Sequence, residues 1–181
     1  MAKLVQKSGY IKSEKAGGYM KYIATRPRAE RLGDHGLFGD EDGVDLEKAI
    51  RELDQYTGNV WTHIISLKRE DAARLGYENS ESWRRLLLAH QAELAAAMKI
   101  PPGDFRWCAA FHDEKHHPHI HMMVWSDDPK EGFLTREGIA TMRSKLTNTI
   151  FRDEMIQIYE RKDVAYKELI EVAQDTMREL I

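Results

Sequence analysis

The segment 111-FHDEKHHPHIHMMVW-125 limits most strongly how this chain can fold. Two runs rich in apolar and aromatic residues, 105–113 and 119–126, flank the short polar stretch 114-EKHHP-118. Runs of this length and composition are typical of β-strands, and so short a link joins neighbouring antiparallel strands. The segment therefore predicts a β-hairpin within an antiparallel sheet.

Histidines are concentrated in this predicted hairpin. Successive side chains of a strand point to opposite faces, so His119 and His121 share a face. His112 ends the preceding strand and can reach that face across the hairpin. Three neutral imidazoles leave coordination positions open, as in catalytic metal sites. The pattern predicts that these three histidines bind a metal ion, with half-buried polar residues as the alternative.

The residues between the two strands have alternative predicted functions. His116 and His117 lie in the predicted turn, either exposed or in contact with a phosphate. Asp113 or Glu114 would orient a ligand histidine or supply an oxygen ligand. Imidazoles alone suit zinc and its transition-metal neighbours, whereas an added oxygen favours harder ions, so the metal stays open.

Composition sets the general class. The chain has 181 residues, of which 42% are hydrophobic, enough for one sizeable core. A single cysteine, Cys108, excludes an internal disulfide and fits a reducing compartment, and it is expected to be buried. No apolar run reaches membrane-spanning length. We therefore expect a soluble cytoplasmic protein with no membrane insertion.

Charge is unevenly distributed along the chain. Residues 1–33 carry eight lysines and arginines against two acidic residues, and the balance reverses over 34–54. Such a basic segment can form a phosphate-binding edge. A solvated surface with a local bias is the alternative that charge alone favours.

The remaining patterns predict an α+β fold, in which an antiparallel β-sheet has flanking helices. We expect a catalytic domain over 1–162 and a C-terminal helix over 163–181, with the start of a longer native chain as one interpretation of that helix. The other predicted elements are strands at 3–7 and 59–67, helices at 17–26, 46–56 and 69–75, a loop at 27–43, a helix from Ser80 or Ser82 to about Lys99, and a long helix from Thr135 with room for a break near Lys162-Asp163.

HDEKHHPHIH resembles the third motif of plasmid mobilisation relaxases, which are HUH endonucleases. Their pattern is a histidine, acidic residues, and then proline-histidine-hydrophobic-histidine on a strand. Asp113 departs from it, since many members have a non-acidic residue there. The matching residues are His112, Glu114, Pro118, His119 and His121.

Two further stretches support this resemblance. KLVQKSGYIK and GGYMKYIATR are similar to the first relaxase motif, in which a nucleophilic tyrosine lies on an early helix. WTHIISL (61–67) resembles the second motif, a strand that ends in serine. The order of the motifs, with the tyrosine before the histidines, makes the chain similar to the N-terminal catalytic domain of MobP-type relaxases.

The resemblance implies an enzyme that cleaves and rejoins single-stranded DNA at a transfer-origin nick site during conjugative mobilisation. The intermediate would be a covalent 5′-phosphotyrosine, and a divalent ion (Mn, Mg or Zn) would be the cofactor. Tyr22, in a tyrosine-isoleucine context, is the expected nucleophile, with Tyr19 as the alternative, and Glu114 is the further expected catalytic residue. Accessory relaxosome proteins and a coupling protein are the implied partners. The expected DNA contacts are Lys21, Arg26, Arg28, Arg31 and Ser66.

Three other interpretations stay open. Tyr159, followed by Lys162, approximates the rolling-circle replication initiators and related transposases, whose tyrosine comes after the histidines. A metal-dependent hydrolase would use activated water at the same histidines and need no tyrosine. A DNA-binding accessory protein would keep the fold with an inactive site.

Overall fold

The computed structural model describes residues 3–179. Five strands form one antiparallel sheet in the order β1-β3-β5-β4-β2, and helices flank it, which confirms the predicted α+β class. The strands are β1 (Val5–Ile11), β2 (Leu37–Gly39), β3 (Val60–Ser66), β4 (Phe105–His112) and β5 (His119–Ser126). The helices are α1 (Ser13–Thr25), α2 (Leu46–Gln55), α3 (Arg69–Leu75), α4 (Ser80–Ala89), α5 (Gln91–Ala97), α6 (Arg136–Ile150) and α7 (Arg152–Glu179), with a 3-10 turn at Pro102–Asp104.

Strands β4 and β5 form the predicted hairpin at the centre of the sheet. His112 lies directly opposite His119, and Ala110 lies opposite His121. On its other side β5 pairs with β3, where Ser66 is opposite His119. Directly opposite residues in an antiparallel pair project on the same face, so all three histidines share one face of the sheet.

The face that carries the histidines is covered in part by α1 and α2. Helix α1 buries residues at helical spacing, among them Met20 and Ile23, against Cys108 and Met123 of the sheet. Cys108 is buried, as predicted. This smaller core fixes α1, with its tyrosines, above the hairpin.

The opposite face carries the larger core. Helices α3 to α6 pack there, and Trp83, Leu94 and Leu146 are among their buried residues. Phe111 and Ile120 of the hairpin point into this core. Successive residues of the hairpin strands alternate between the two faces of the sheet. Phe111 and Ile120 therefore anchor the hairpin in the larger core, while the histidines lie on the opposite face.

Helices α1 and α2 meet closely at Gly17. A Cβ atom built at this position would fall 2.2 Å from Oδ1 of Asp54 and 3.3 Å from Cγ2 of Ile50. Both distances are shorter than ordinary van der Waals contact. The missing side chain of Gly17 therefore allows the contact that positions α1.

Several predicted boundaries at the start of the chain are wrong. The first strand covers Val5–Ile11 instead of 3–7, and α1 begins at Ser13, so the glycine pair lies inside the helix. The expected loop at 27–43 contains β2, whose three residues are all buried at the outer edge of β4. A three-residue strand among glycines and aspartates is too short to produce an alternating pattern.

Two predicted long helices are each interrupted. The helix expected from Ser80 or Ser82 to Lys99 is divided at His90, whose Nε2 lies 2.7 Å from Oγ1 of Thr149 in α6. The helix from Thr135 is divided at Phe151, not near 162–163, where α7 continues unbroken. Phe151 turns its side chain into the larger core, so tertiary packing sets this break.

Helix α7 is exposed along most of its length. Only its beginning, near Met155, packs against the larger core. Within residues 3–179, no helix combines the length and the apolar character needed to cross a membrane.

Candidate metal centre

Three histidine side chains converge on the face below α1. One nitrogen atom from each of His112, His119 and His121 lies within 4.8 Å of the others. The Nε2 atoms of His119 and His121 are 3.2 Å apart, and the rings of His112 and His121 have centroids separated by 4.5 Å. The hairpin register produces this grouping, because His112 and His119 are directly opposite each other.

Each of the three rings has its other nitrogen bound to an oxygen atom. Nε2–H of His112 donates to the carbonyl of Ile23 over 2.8 Å, and Nδ1–H of His119 donates to the carbonyl of His117 over 2.9 Å. Nδ1 of His121 lies 2.9 Å from the hydroxyl of Tyr19. A carbonyl can only accept, so these contacts fix the tautomers of His112 and His119. Lone pairs are left on Nδ1 of His112 and Nε2 of His119.

The convergent atoms have the properties of metal ligands. Nδ1 of His112 is buried and has no hydrogen-bond partner in the described part of the chain. Burial is the main cause that lowers the pKa of His112 to about 4 and that of His121 to about 3. Both imidazoles are therefore neutral at pH 7. The unpartnered buried nitrogen of His112, beside the neutral imidazole of His121 and the lone pair of His119, fits a divalent ion held by nitrogen ligands.

The two candidate tyrosines of α1 have different environments. The Tyr19 hydroxyl contacts His121, and burial, followed by the nearby Tyr22, raises the pKa of Tyr19. Tyr22, one turn further on, is 53% exposed. The guanidinium of Arg26 lies over its ring, with Cζ 5.3 Å from the ring centroid. Tyr19 thus faces the histidines, while Tyr22 is accessible to a ligand.

Glu114 links two arginines at the rim of the histidine cluster. Its Oε1 is 3.4 Å from Nη2 of Arg26, and its Oε2 is 3.1 Å from Nη1 of Arg28. The three side chains are partly exposed, so these ion pairs add little to stability. Their effect is to hold two cations and one anion together, and one of these cations, Arg26, lies over the ring of Tyr22.

The turn between β4 and β5 is held by Arg69, a residue that the sequence pattern did not single out. Its Nε donates to the carbonyl of Lys115 over 3.2 Å, and its Nη2 donates to the carbonyl of Glu114 and the carboxylate of Asp113. Its backbone N–H also donates to the backbone carbonyl of His116 over 3.0 Å. The sequence did contain an indication of this residue, because Arg69 comes two positions after the stretch 61–67 that resembles the second relaxase motif.

The other predicted site residues lie outside the histidine cluster, at different distances from it. Ser66 lies opposite His119 in the sheet, and Lys21 is exposed on α1. Arg31 donates to the carbonyls of Thr25 and Asp34, which ties it to its own loop. Tyr159 is 60% exposed on α7, with its ring beside Lys162.

Fold and site together define an α+β protein in which three histidines converge beneath a tyrosine-bearing helix. The chain belongs to the MobL relaxases, whose family model matches residues 33–181. The relaxase resemblance is thereby confirmed, and the protein is assigned to a family of DNA-nicking enzymes. The matched residues include the three histidines and Glu114, whereas α1 precedes them. No curated protein and no solved structure matches the chain.

Proposed function

We propose that this protein is a metal-dependent relaxase of the MobP type that cleaves and rejoins single-stranded DNA at a transfer origin in the cytoplasm. The observation that carries the proposal is the convergence of His112, His119 and His121, each with its other nitrogen bound to an oxygen. Family membership supports the relaxase role, and the site supplies the residues for the finer mechanism.

The histidines would hold a divalent ion, either Mn, Mg or Zn, through Nδ1 of His112 and Nε2 of His119 and His121. When bound, such an ion supplies Lewis-acid polarisation of a phosphate oxygen. The chain's own contribution is to orient the rings and, for His112 and His121, to keep them neutral by burial. The carbonyl of Ile23 and the hydroxyl of Tyr19, both on α1, perform that orientation.

Tyr22 is the proposed nucleophile, and Tyr19 is a positioning residue. The Tyr19 hydroxyl contacts Nδ1 of His121, which is the nitrogen that does not face His119. Burial also disfavours the phenolate of Tyr19. Tyr22 is open to solvent, and the cation of Arg26 over its ring can attract a phosphate of the DNA to this position.

In the proposed reaction, the phenolic oxygen of Tyr22 attacks the scissile phosphorus. The Tyr22 O–P bond forms while the bond from phosphorus to the 3′ oxygen breaks, and the phenolic proton is transferred overall to that 3′ oxygen. The products are a 5′-phosphotyrosyl link and a free 3′-hydroxyl. One phosphodiester replaces another, so the same site can rejoin the strand.

Basic residues around α1 would position the DNA backbone without reading its sequence. Glu114 would hold Arg26 and Arg28 at the rim until a phosphate arrives. Accessory relaxosome proteins and a coupling protein are the further partners that a role in conjugation requires. The proposed contacts are Lys21, Arg26, Arg28, Arg31 and Ser66.

The test is formation of a covalent adduct with single-stranded oligonucleotides tiled across the DNA that flanks the gene, in the presence of Mn²⁺. We expect a protease-resistant adduct that Tyr22→Phe abolishes and that Tyr159→Phe, the matched control, retains. An adduct lost only in Tyr159→Phe would instead indicate a rolling-circle type of initiator. Cleavage without an adduct would indicate a hydrolase, and binding without cleavage would indicate an accessory protein.

A further inference from the structure

Helices α1 and α2 only partly cover the half of the histidine-bearing face that β1 and β3 form. Val60 and Ile11 pack into the smaller core, whereas the residues of these strands on this face that lie nearer the histidines are exposed or partly exposed. We propose that this surface, here called the strand track, binds the single-stranded DNA that leads to the metal centre. The inference rests on the proposed function and adds to it the path of the substrate. The strand track consists of Val5, Lys7, Thr62, Ile64 and Ser66.

The register connects the strand track directly to the histidines. His119 lies opposite Ser66, which in turn lies opposite Val5, and these form one row across three strands. His121, Ile64 and Lys7 form the next row. Neighbouring strands are about 4.8 Å apart, so the row ends at Lys7 about 10 Å from the strand that carries His121.

Exposure differs sharply between the two halves of this face. Val5 is 40% exposed, Lys7 is exposed, and the three β3 residues of the strand track are partly exposed. On the covered half, Ala110 and Met123 are completely buried beneath the helices. The strand track is therefore an accessible surface that begins directly beside the histidines.

The charge distribution of the protein favours binding of a polyanion to the strand track. Four exposed lysines surround it, and none of them forms an ion pair in the part of the chain that the structure describes. The other edge of the sheet, beyond β2, is strongly acidic over 40–45. A DNA strand that enters the metal centre is thus attracted towards β1 and repelled from β2. The four lysines are Lys3, Lys7, Lys12 and Lys68.

The side chains of the strand track match the chemistry of a single strand. Lys7 is placed to contact a backbone phosphate, and the hydroxyls of Thr62 and Ser66 can donate to phosphate or sugar oxygens. Ile64 and Val5 offer an apolar surface for unpaired bases. A protein strand added to the β1 edge would use the backbone of β1 instead of this face.

Site-specific disulfide crosslinking tests the proposal, because Cys108, the only cysteine in the sequence, is 3% exposed. Lys7→Cys and Thr62→Cys each introduce one accessible thiol. Lys48→Cys, on the acidic side of the protein, is the matched control. With oligothymidine that carries a thiol-reactive tether on a phosphate, we expect about tenfold more crosslinking in the first two variants, because the bound strand holds the tether there.

A second measurement depends on charge and not on crosslinking. Each lysine-phosphate contact on single-stranded DNA adds about 0.7 to the slope of log affinity against log salt concentration. Lys7→Ala should therefore reduce the slope by about 0.7, while Lys48→Ala leaves it unchanged. Equal slopes in the two variants would overturn the proposal.

The outcomes separate this inference from the proposed function. Crosslinking at Lys7→Cys without any Tyr22 adduct would support the strand track and overturn the relaxase mechanism. A Tyr22 adduct with equal or stronger crosslinking at Lys48→Cys would overturn the strand track alone. Protein-protein disulfides in Lys7→Cys that exclude the oligonucleotide would also overturn it, since β1 would then be an interface between protein chains.

Discussion

The hydroxyl of Tyr19 lies 2.9 Å from Nδ1 of His121, whose Nε2 is in turn 3.2 Å from Nε2 of His119. A second contact from the same helix joins the carbonyl of Ile23 to His112. Helix α1 thus sets the orientation of two of the three imidazoles and also carries Tyr22. Movement of this helix would change the proposed nucleophile and the metal ligands together.

Tyr19→Phe should weaken metal binding without removing the nucleophile. Loss of a partner that orients a ligand histidine typically costs about 10- to 100-fold in metal affinity. We expect that decrease in a calorimetric titration with Zn²⁺, together with a normal covalent adduct at saturating metal. Tyr22→Phe, the paired variant, should show the opposite behaviour. An adduct that is lost in Tyr19→Phe at saturating metal and kept in Tyr22→Phe would make Tyr19 the nucleophile.

Glu114→Gln should strengthen binding of single-stranded DNA. The carboxylate of Glu114 pairs with Arg26 and Arg28, and its neutralisation leaves both guanidinium groups free for phosphates. We expect a several-fold higher affinity for oligothymidine and a steeper dependence on salt, measured by fluorescence anisotropy. Glu78→Gln is the control, because Glu78 pairs with Arg69 on the other side of the turn. Unchanged binding in Glu114→Gln would mean that Glu114 does not compete with DNA.

The hairpin and the histidine cluster could be predicted from the sequence because both depend on local rules. Strand alternation places His119 and His121 on one face, and a short link brings His112 opposite them. The orientation of the rings could not be predicted. It depends on Tyr19 and Ile23, which lie 102 and 89 residues away in the chain.

The predicted ends of helices are wrong where tertiary packing overrides helix propensity. The segment around His90 is a strong helix former, yet contacts with Glu93 and Thr149 accompany a break there. Arg69 was missed for a similar reason, since its function in holding the turn depends on residues 44 to 46 positions away. Only the three-dimensional structure brings such partners together.

Replacement of the adjacent glycines of α1 should have opposite effects on stability. In Gly17→Ala, the new Cβ would lie 2.2 Å from Oδ1 of Asp54 and 3.3 Å from Cγ2 of Ile50, so both side chains of α2 must shift and the free energy of unfolding falls. A Cβ at Gly18 meets no atom within 4 Å, so Gly18→Ala should gain about 0.5–1 kcal/mol from helix propensity. Urea unfolding measures both. Equal effects of the two changes would contradict the close approach at Gly17.

His63 should make the fold sensitive to acid. Its side chain is completely buried on the sheet face opposite the metal centre, with Nδ1 2.7 Å from Oγ of Ser8 and with Nε2 unpartnered within the described residues. Burial lowers the pKa of His63 from 6.5 to about 4. Between these values the unfolded chain binds the proton and the folded protein does not, so stability falls as the pH decreases from about 6.5 to 4.

The difference between the folded and unfolded pKa values of His63 corresponds to about 3 kcal/mol, present above pH 6.5 and lost by pH 4. In His63→Gln the side chain no longer titrates, so the free energy of unfolding should fall less over this range. Urea unfolding of metal-free protein at several pH values measures the difference. His112 and His121 titrate equally in both proteins, so their contribution cancels. Parallel pH profiles for the two proteins would show that His63 is not buried in its neutral form.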